Sequence, residues 1–211
     1  MQILLERPDI VIVDKPAGLP SIADRFGSTS VHEQLQAQRG ERLWVTHRLD
    51  REVTGVLVFA RTADAHRSLS MAFEQQQVQK TYLAWTSGEQ PGLVGAKFTW
   101  NDTLMRGKKR AYVHPAGKPA VTDAYFEGPA EPAGLWQWRL QPHTGRNHQL
   151  RVQLASRGWP IVGDALYGST YAWPQPGIAL RAVRLELPAG ILGSALSVVA
   201  PPWPAQATTQ P

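Results

Sequence analysis

The stretch from Val45 to Ala60 constrains this chain most, because a polar run, His47 to Thr54, passes directly into the apolar residues Val56-Leu57-Val58-Phe59-Ala60. Such a run predicts a strand, and Gly55, free to take backbone angles closed to other residues, makes the join. One end of the polar loop is thereby anchored to the rigid part of a sheet. Within the loop, Asp50 stands between Arg48 and Arg51, with Glu52 next. Asp50 can be a surface carboxylate paired with either arginine, or a reactive group presented by the strand. Composition and spacing alone do not separate these.

The remaining pattern supplies more strands than helices. Ile10-Val11-Ile12-Val13-Asp14-Lys15 ends at Pro16 and Gly18, the signature of a buried strand followed by a turn. Ser30-Val31-His32-Glu33 fits a capping box, so a short helix should run to about residue 38 and stop at Gly40. Residues 43–46 should carry the chain as a strand into the Asp50 loop. Thr62 can cap a helix whose Ala65, Leu69, Ala72 and Phe73 share a face. Strands are expected at 78–86, at 124–126 and 135–141 as a hairpin, and at 179–187. Leu150 and Leu154 share a face of a helix stopped by Gly158-Trp159-Pro160, on which His148 and Arg151 are neighbours.

With 211 residues, 43% of them hydrophobic, the chain can bury a core without staples. Cysteine is absent, which excludes disulfides, thiolate nucleophiles and cysteine-bound zinc, and agrees with a cytoplasmic home. The start shows neither a basic leader nor a long apolar core, and no run approaches bilayer length, so no membrane partner is expected. A formal charge of +5 favours a polyanionic partner. Arg106-Gly107-Lys108-Lys109-Arg110 is a dense basic run, either a solvated loop or a set of phosphate contacts. Gly117-Lys118-Pro119 lacks the spacing of a phosphate-binding loop. His148 has no second ligand at regular spacing, so it reads as a capping or core histidine and no metal is assigned.

His47-Arg48-Leu49-Asp50, followed by a short polar run and Thr54-Gly55, resembles the catalytic motif of the RluA-type pseudouridine synthases. Further on, Lys15-Pro16-Ala17-Gly18, Lys80-Thr81-Tyr82-Leu83-Ala84 and Gly117-Lys118-Pro119-Ala120-Val121-Thr122 are similar to family segments. So are Thr144-Gly145-Arg146-Asn147-His148-Gln149-Leu150-Arg151-Val152 and Pro160-Ile161-Val162-Gly163-Asp164-Ala165-Leu166-Tyr167-Gly168. The chain departs from the usual pattern at Val53-Thr54, where the family has Thr-Ser, at Asn147, where it has Thr or Ser, and at Gln153, where it has His. The last two changes are expected to alter hydrogen bonding around the cleft.

The resemblance implies a mixed α/β domain of the α+β type, over residues 1–200, with a largely antiparallel twisted sheet, a central catalytic cleft, and flanking helices and loops. A Pro-rich tail, 201–211, is expected to be disordered. It implies conversion of uridine in structured RNA, ribosomal or transfer, to pseudouridine, with no cofactor and no obligatory protein partner. The segment before Asp50 is too short for the extra RNA-binding domain some members carry. Asp50, Tyr82 and Arg151 carry the family's catalytic roles, Arg151 as the charge partner of Asp50 and Tyr82 as the residue packed on the base. Substrate contacts are expected from His47, Arg48, Arg146, His148, Lys108, Lys109 and Arg110, with Arg48 filling the gap left by an extruded base. Two rivals share the basic cleft: a noncatalytic RNA-binding protein, and a hydrolase of glycosidic bonds using Asp50 with Glu52 as its second acid.

Overall fold

The chain enters its sheet at an exposed edge, through β1 (Gln2–Glu6), and turns into β2 (Ile10–Lys15). There follow α1 (Val31–Arg39), the short β3 (Trp44–Val45), β4 (Thr54–Ala60), α2 (Ala63–Glu74) and β5 (Gln79–Thr86). The second half adds β6 (Lys97–Arg106), β7 (Ala111–Val113), β8 (Lys118–Ala130), β9 (Leu135–Pro142), α3 (Gln149–Ala155), a 3-10 turn (Ala165–Tyr167), β10 (Leu180–Leu187) and β11 (Leu196–Val199). This computed structural model describes residues 1–24, 27–131 and 133–201, so the expected tail, apart from Pro201, lies outside the described residues.

All eleven strands join one sheet in the order β1-β2-β4-β10-β5-β9-β8-β6-β7, with β11 beside β10 and β3 beside β4. Among the described residues only β4 and β10 pair in parallel, Thr54 opposite Arg181 and Gly55 opposite Ala182; the other named pairings are antiparallel. The fold is therefore α+β, with a mixed and mostly antiparallel sheet. The late strand β10 slips between β4 and β5, so Ala182 faces Gly55 on one side and Tyr82 on the other. That insertion brings the Asp50 loop and the tyrosine strand to the same part of the sheet.

Continuous apolar runs in β2 and β4 follow from burial on both faces. Ile10, Ile12, Val56 and Val58 pack with Ala65, Leu69 and Ala72 of α2. Their alternates Val11, Val13, Leu57 and Phe59 pack on the other side with Val31 and Leu35 of α1, Trp138 and Leu140. Each such side chain contributes about 1.5–3 kcal/mol on burial. Helix α1 starts on the complete capping box of Ser30 and Glu33 and stops at Gly40, in the left-handed region at φ 63°.

Strand β8 is far longer than the expected 124–126. Pro119 and Pro129 disguise it, because proline reads as a strand breaker. Pro119 pairs only with β6 and Pro129 only with β9, so each has a ladder on one side and can turn its missing N–H away from it. Strand β4 begins two residues before the apolar run, since its parallel partner also takes Thr54 and Gly55. Strands β1 and β11 are too short, and β6 too polar, to stand out as runs.

Candidate active site

The Asp50 loop is held from beneath by the end of β2 and the segment that follows it. Lys15 is completely buried, and its ammonium donates to the carbonyls of Pro16 (2.8 Å), Arg51 (3.2 Å) and Val53 (2.8 Å). The buried Ser21 hydroxyl donates to the Leu49 carbonyl at 2.8 Å and accepts from the Leu49 N–H at 2.9 Å. Gly18 N–H donates to the Arg51 carbonyl, and Val53 N–H closes a turn onto the Asp50 carbonyl. A Cβ on Gly55, whose φ is 113°, would be driven into the Ala182 carbonyl, so both backbone angle and close approach require glycine there. Burial holds the Lys15 ammonium down to about 8, against the pull of Glu52 and Asp50.

Arg151 rises from α3 on the facing wall. Its Nη1 lies 3.4 Å from Asp50 Oδ2 and 3.1 Å from Glu52 Oε2. Its closest partner is a third carboxylate, Asp164, bound two-point through Nε (2.6 Å) and Nη2 (2.8 Å). The Arg151 side chain is 3% exposed and that of Asp164 1%, against 19% for Asp50, so Asp164 is the buried anchor and Asp50 the open end. The expected pairing with Asp50 is thus one of three that Arg151 makes, and sequence reasoning assigned Asp164 no role although it stands in a quoted motif. Arg51 pairs with Asp24, and the Arg48 guanidinium reaches Asn147 rather than Asp50.

Asp50 and Arg151 face a cavity of about 640 Å³. Asp50, Tyr82 and Arg151 share its wall with His47, Arg48, Arg146 and His148. The Tyr82 hydroxyl makes no hydrogen bond among the described residues, and burial, with the Asp50 charge second, pushes its pKa well above the usual phenol value. It therefore stays protonated. His148, at φ 52° before α3, caps nothing with its side chain; its Nδ1 lies 2.9 Å from the Tyr167 hydroxyl and its Nε2 3.8 Å from Asp50 Oδ2. The Tyr167 ring stacks under Arg151 at 5.2 Å.

His47 is engaged by the fold: Nε2 accepts from the Val58 N–H at 3.1 Å, and the ring stacks on Phe73 at 4.5 Å. Burial, aided by the Lys80 charge, holds it down to about 3, so it meets the cavity as a neutral ring. Arg48 spans the cavity mouth to Asn147 Oδ1 at 3.2 Å, while Arg146 donates to the Pro119 carbonyl at 2.8 Å. Gln153 is outside the cavity. Completely buried beneath α3, it accepts from Thr122 Oγ1 and donates to Asp102 Oδ2 and the Ala120 carbonyl, so this departure reshapes the underside of the helix rather than the cleft. Lys108, Lys109 and Arg110 form the exposed β6–β7 tip and do not line the cavity, whereas Arg106 at its base does. Among the described residues no group of three or more His, Cys, Asp or Glu could hold a metal.

Residues 9–156 match the family model described as RNA pseudouridylate synthase. The chain is 39% identical over 175 residues to an uncharacterized RNA pseudouridine synthase of Zymomonas mobilis, covering 80% of this chain and 78% of that one. It is 36% identical over 184 residues to tRNA pseudouridine synthase C of Pasteurella multocida, covering 81% and 76%. Against ribosomal large subunit pseudouridine synthase D of Nitrosomonas europaea it is 35% identical over 193 residues, covering 88% of this chain but 54%, about half, of that relative. Its fold is similar to that of human RNA pseudouridylate synthase domain containing 1, with a TM-score of 0.79 at 24% identity over 95% of this chain and 82% of that one.

Proposed function

The chain belongs to the RNA pseudouridylate synthase family, and from that membership we propose that it isomerises uridine within structured RNA to pseudouridine, with Asp50 as the reacting carboxylate. The observation that carries this reading is the Asp50 carboxylate at the open end of a buried guanidinium, in one cavity with the unbonded hydroxyl of Tyr82. In the reaction the bond from uracil N1 to ribose C1′ breaks and one from C5 to C1′ forms. The C5 proton is lost and N1 gains one, so atoms balance without cofactor or energy source. Asp50 acts on the ribose, Arg151 fixes its orientation and charge, and Tyr82 packs against the extruded base as a neutral hydroxyl. A base must leave its stack to reach this cavity, at a cost of a few kcal/mol, and Arg48, at the mouth, can fill the gap. His148 and Arg146 supply further contacts on the α3 side.

The substrates are ribosomal or transfer RNA, the two classes named for relatives, met in the cytoplasm without an obligatory protein partner. The hydrolase reading has less support. Glu52, the second acid expected for it, shares Arg151 Nη1 with Asp50 and does not line the cavity, where Glu74 is the carboxylate beside Asp50. The test is pseudouridine mapping of cellular RNA made with and without the protein, followed by conversion of the mapped site in vitro. Asp50→Asn, nearly isosteric, should keep the fold and RNA binding and lower conversion at least about a thousandfold, as loss of a reacting group does. Conversion near the wild-type rate removes Asp50 from the chemistry, and release of free uracil restores the hydrolase.

A further inference from the structure

Beyond the cavity lies a second groove of about 760 Å³, and the two share Gln76, Lys80, Pro142 and His143. Lys80 stands at the junction. It lies two residues before Tyr82 on β5, on the same side of the strand, and both line the first cavity. Its ammonium is partly desolvated, which lowers its pKa, yet it has no hydrogen bond or ion pair among the described residues. The contrast with Lys15 is informative, since that buried ammonium spends its donors on three carbonyls. A cation kept partly from water without a partner costs stability, a cost that an anion arriving from outside would offset. Past Lys80 the groove is lined by Gln77, Gln79 and Gln141, whose side-chain amides likewise make no hydrogen bond among the described residues. Each offers two donors and an acceptor, the complement an unstacked base edge needs.

We propose that the second groove is a binding site for the nucleotides on one side of the target uridine, with Lys80 holding the phosphate that links them to the flipped nucleotide. Gln77, Gln79 and Gln141 contact the edges of those bases and set which sequences are converted. This rests on the pseudouridylation reading above, and adds to it where the strand runs and what selects it. The ligand is single-stranded or loop RNA, because the amides would meet only paired edges in a duplex.

The probe is a library of RNA hairpins, each with one uridine in a loop whose neighbouring nucleotides are randomised. Conversion is followed under single turnover by sequencing. Wild type should show sequence preference on one side of the uridine. Gln79→Ala with Gln141→Ala should flatten that preference while leaving preference on the other side in place. Lys80→Met should raise the half-saturating RNA concentration about tenfold and reduce the salt slope of binding by about one unit, the change that goes with a single phosphate no longer neutralised. Its maximal rate should fall less. Lys80→Arg should restore most of the affinity, and the melting temperature of Lys80→Met should be no lower than that of wild type, which separates a binding role from a structural one. An unchanged salt slope and half-saturation for Lys80→Met overturns the phosphate contact, and preference unaltered by the glutamine changes overturns the groove. A wild type that converts neither the library nor any cellular RNA overturns the pseudouridylation reading itself, which conversion without groove effects does not.

Discussion

The Asp50 loop and the β6–β7 tip are both polar, both carry basic residues, and are built in opposite ways. Beneath the loop, Lys15, Ser21 and Gly18 bind its backbone, and Arg151 is fixed by a buried Asp164. At the tip, Lys108 and Lys109 project into solvent with no partner among the described residues. The first arrangement spends buried polar groups to hold one carboxylate in place, as bond-making requires. The second leaves charge free to meet a flexible polyanion. The comparison separates residues that should govern rate and stability together from residues that should govern affinity alone.

The sharpest way to break it is at Arg151 and Asp164. If Asp164 is the anchor, Asp164→Asn and Arg151→Met should each cost about 3–5 kcal/mol of stability, the usual consequence of stranding one member of a buried pair. Both should lower conversion more than RNA binding. Asp50→Asn, which alters only the open end, should leave stability within about 1 kcal/mol of wild type. Urea unfolding of the three variants beside single-turnover assays gives the ranking; equal destabilisation by Asp50→Asn would show that the open end is as structural as the buried one.

A smaller effect should come from Lys15. Its folded-state value of about 8 lies below the roughly 10.4 of an unfolded lysine. Below pH 8 both states hold the proton. Between about 8 and 10 the unfolded chain keeps a proton that the folded chain has released, so stability should rise with pH by at most about 1.4 kcal/mol per unit. Above about 10 the raised Tyr82 and Tyr167 work the other way, because the unfolded phenols ionise first. Denaturant unfolding from pH 7.5 to 9.5 should show a steeper rise in wild type than in Lys15→Met, in which only the lowered Lys80 still contributes one. A parallel course for the two proteins would mean that Lys15 is better solvated than its burial indicates.

The same division decides what could be read in the sequence. The Asp50 loop is legible because its determinants are local: a polar run, a glycine and an apolar strand in consecutive residues. The helix caps and the two-face runs of β2 and β4 are legible for that reason too. Asp164 is not, since its meaning depends on a burial that only the packing of α3 against the turn after Gly163 creates. Gln153 misleads from the sequence, because its place in a motif says nothing of which way the helix turns it. His47 is similar: its position beside the arginine suggests a substrate contact, whereas its ring nitrogen is taken by the β4 backbone. Strand β8 hides behind two prolines whose harmlessness depends on which neighbour each one lacks.

The smallest expected effect belongs to the tip. Lys108 and Lys109 stand at a turn closed by the Gly107 N–H to the Arg110 carbonyl, and Arg106 at its base lines the cavity, so the turn adjoins the cleft. Arg110 differs from its neighbours, since it donates to the Leu166 carbonyl at 3.1 Å and lies over the Tyr167 ring. Replacing it would disturb the support of Arg151 as well as the charge. The clean variant is therefore Lys108→Gln with Lys109→Gln. Nothing buried changes, so the melting temperature should stay with wild type and the maximal conversion rate should hold. If both lysines meet phosphates, the slope of log affinity against log salt should fall by about 0.7–0.9 for each phosphate, and affinity at low salt should drop with it. At high salt the two proteins should converge, because the attraction removed is the one that salt screens. Binding of one hairpin RNA measured from low to high salt is decisive. A slope that does not move makes the tip an ordinary solvated turn, and the contrast with the Asp50 loop would then be one of structure without division of labour.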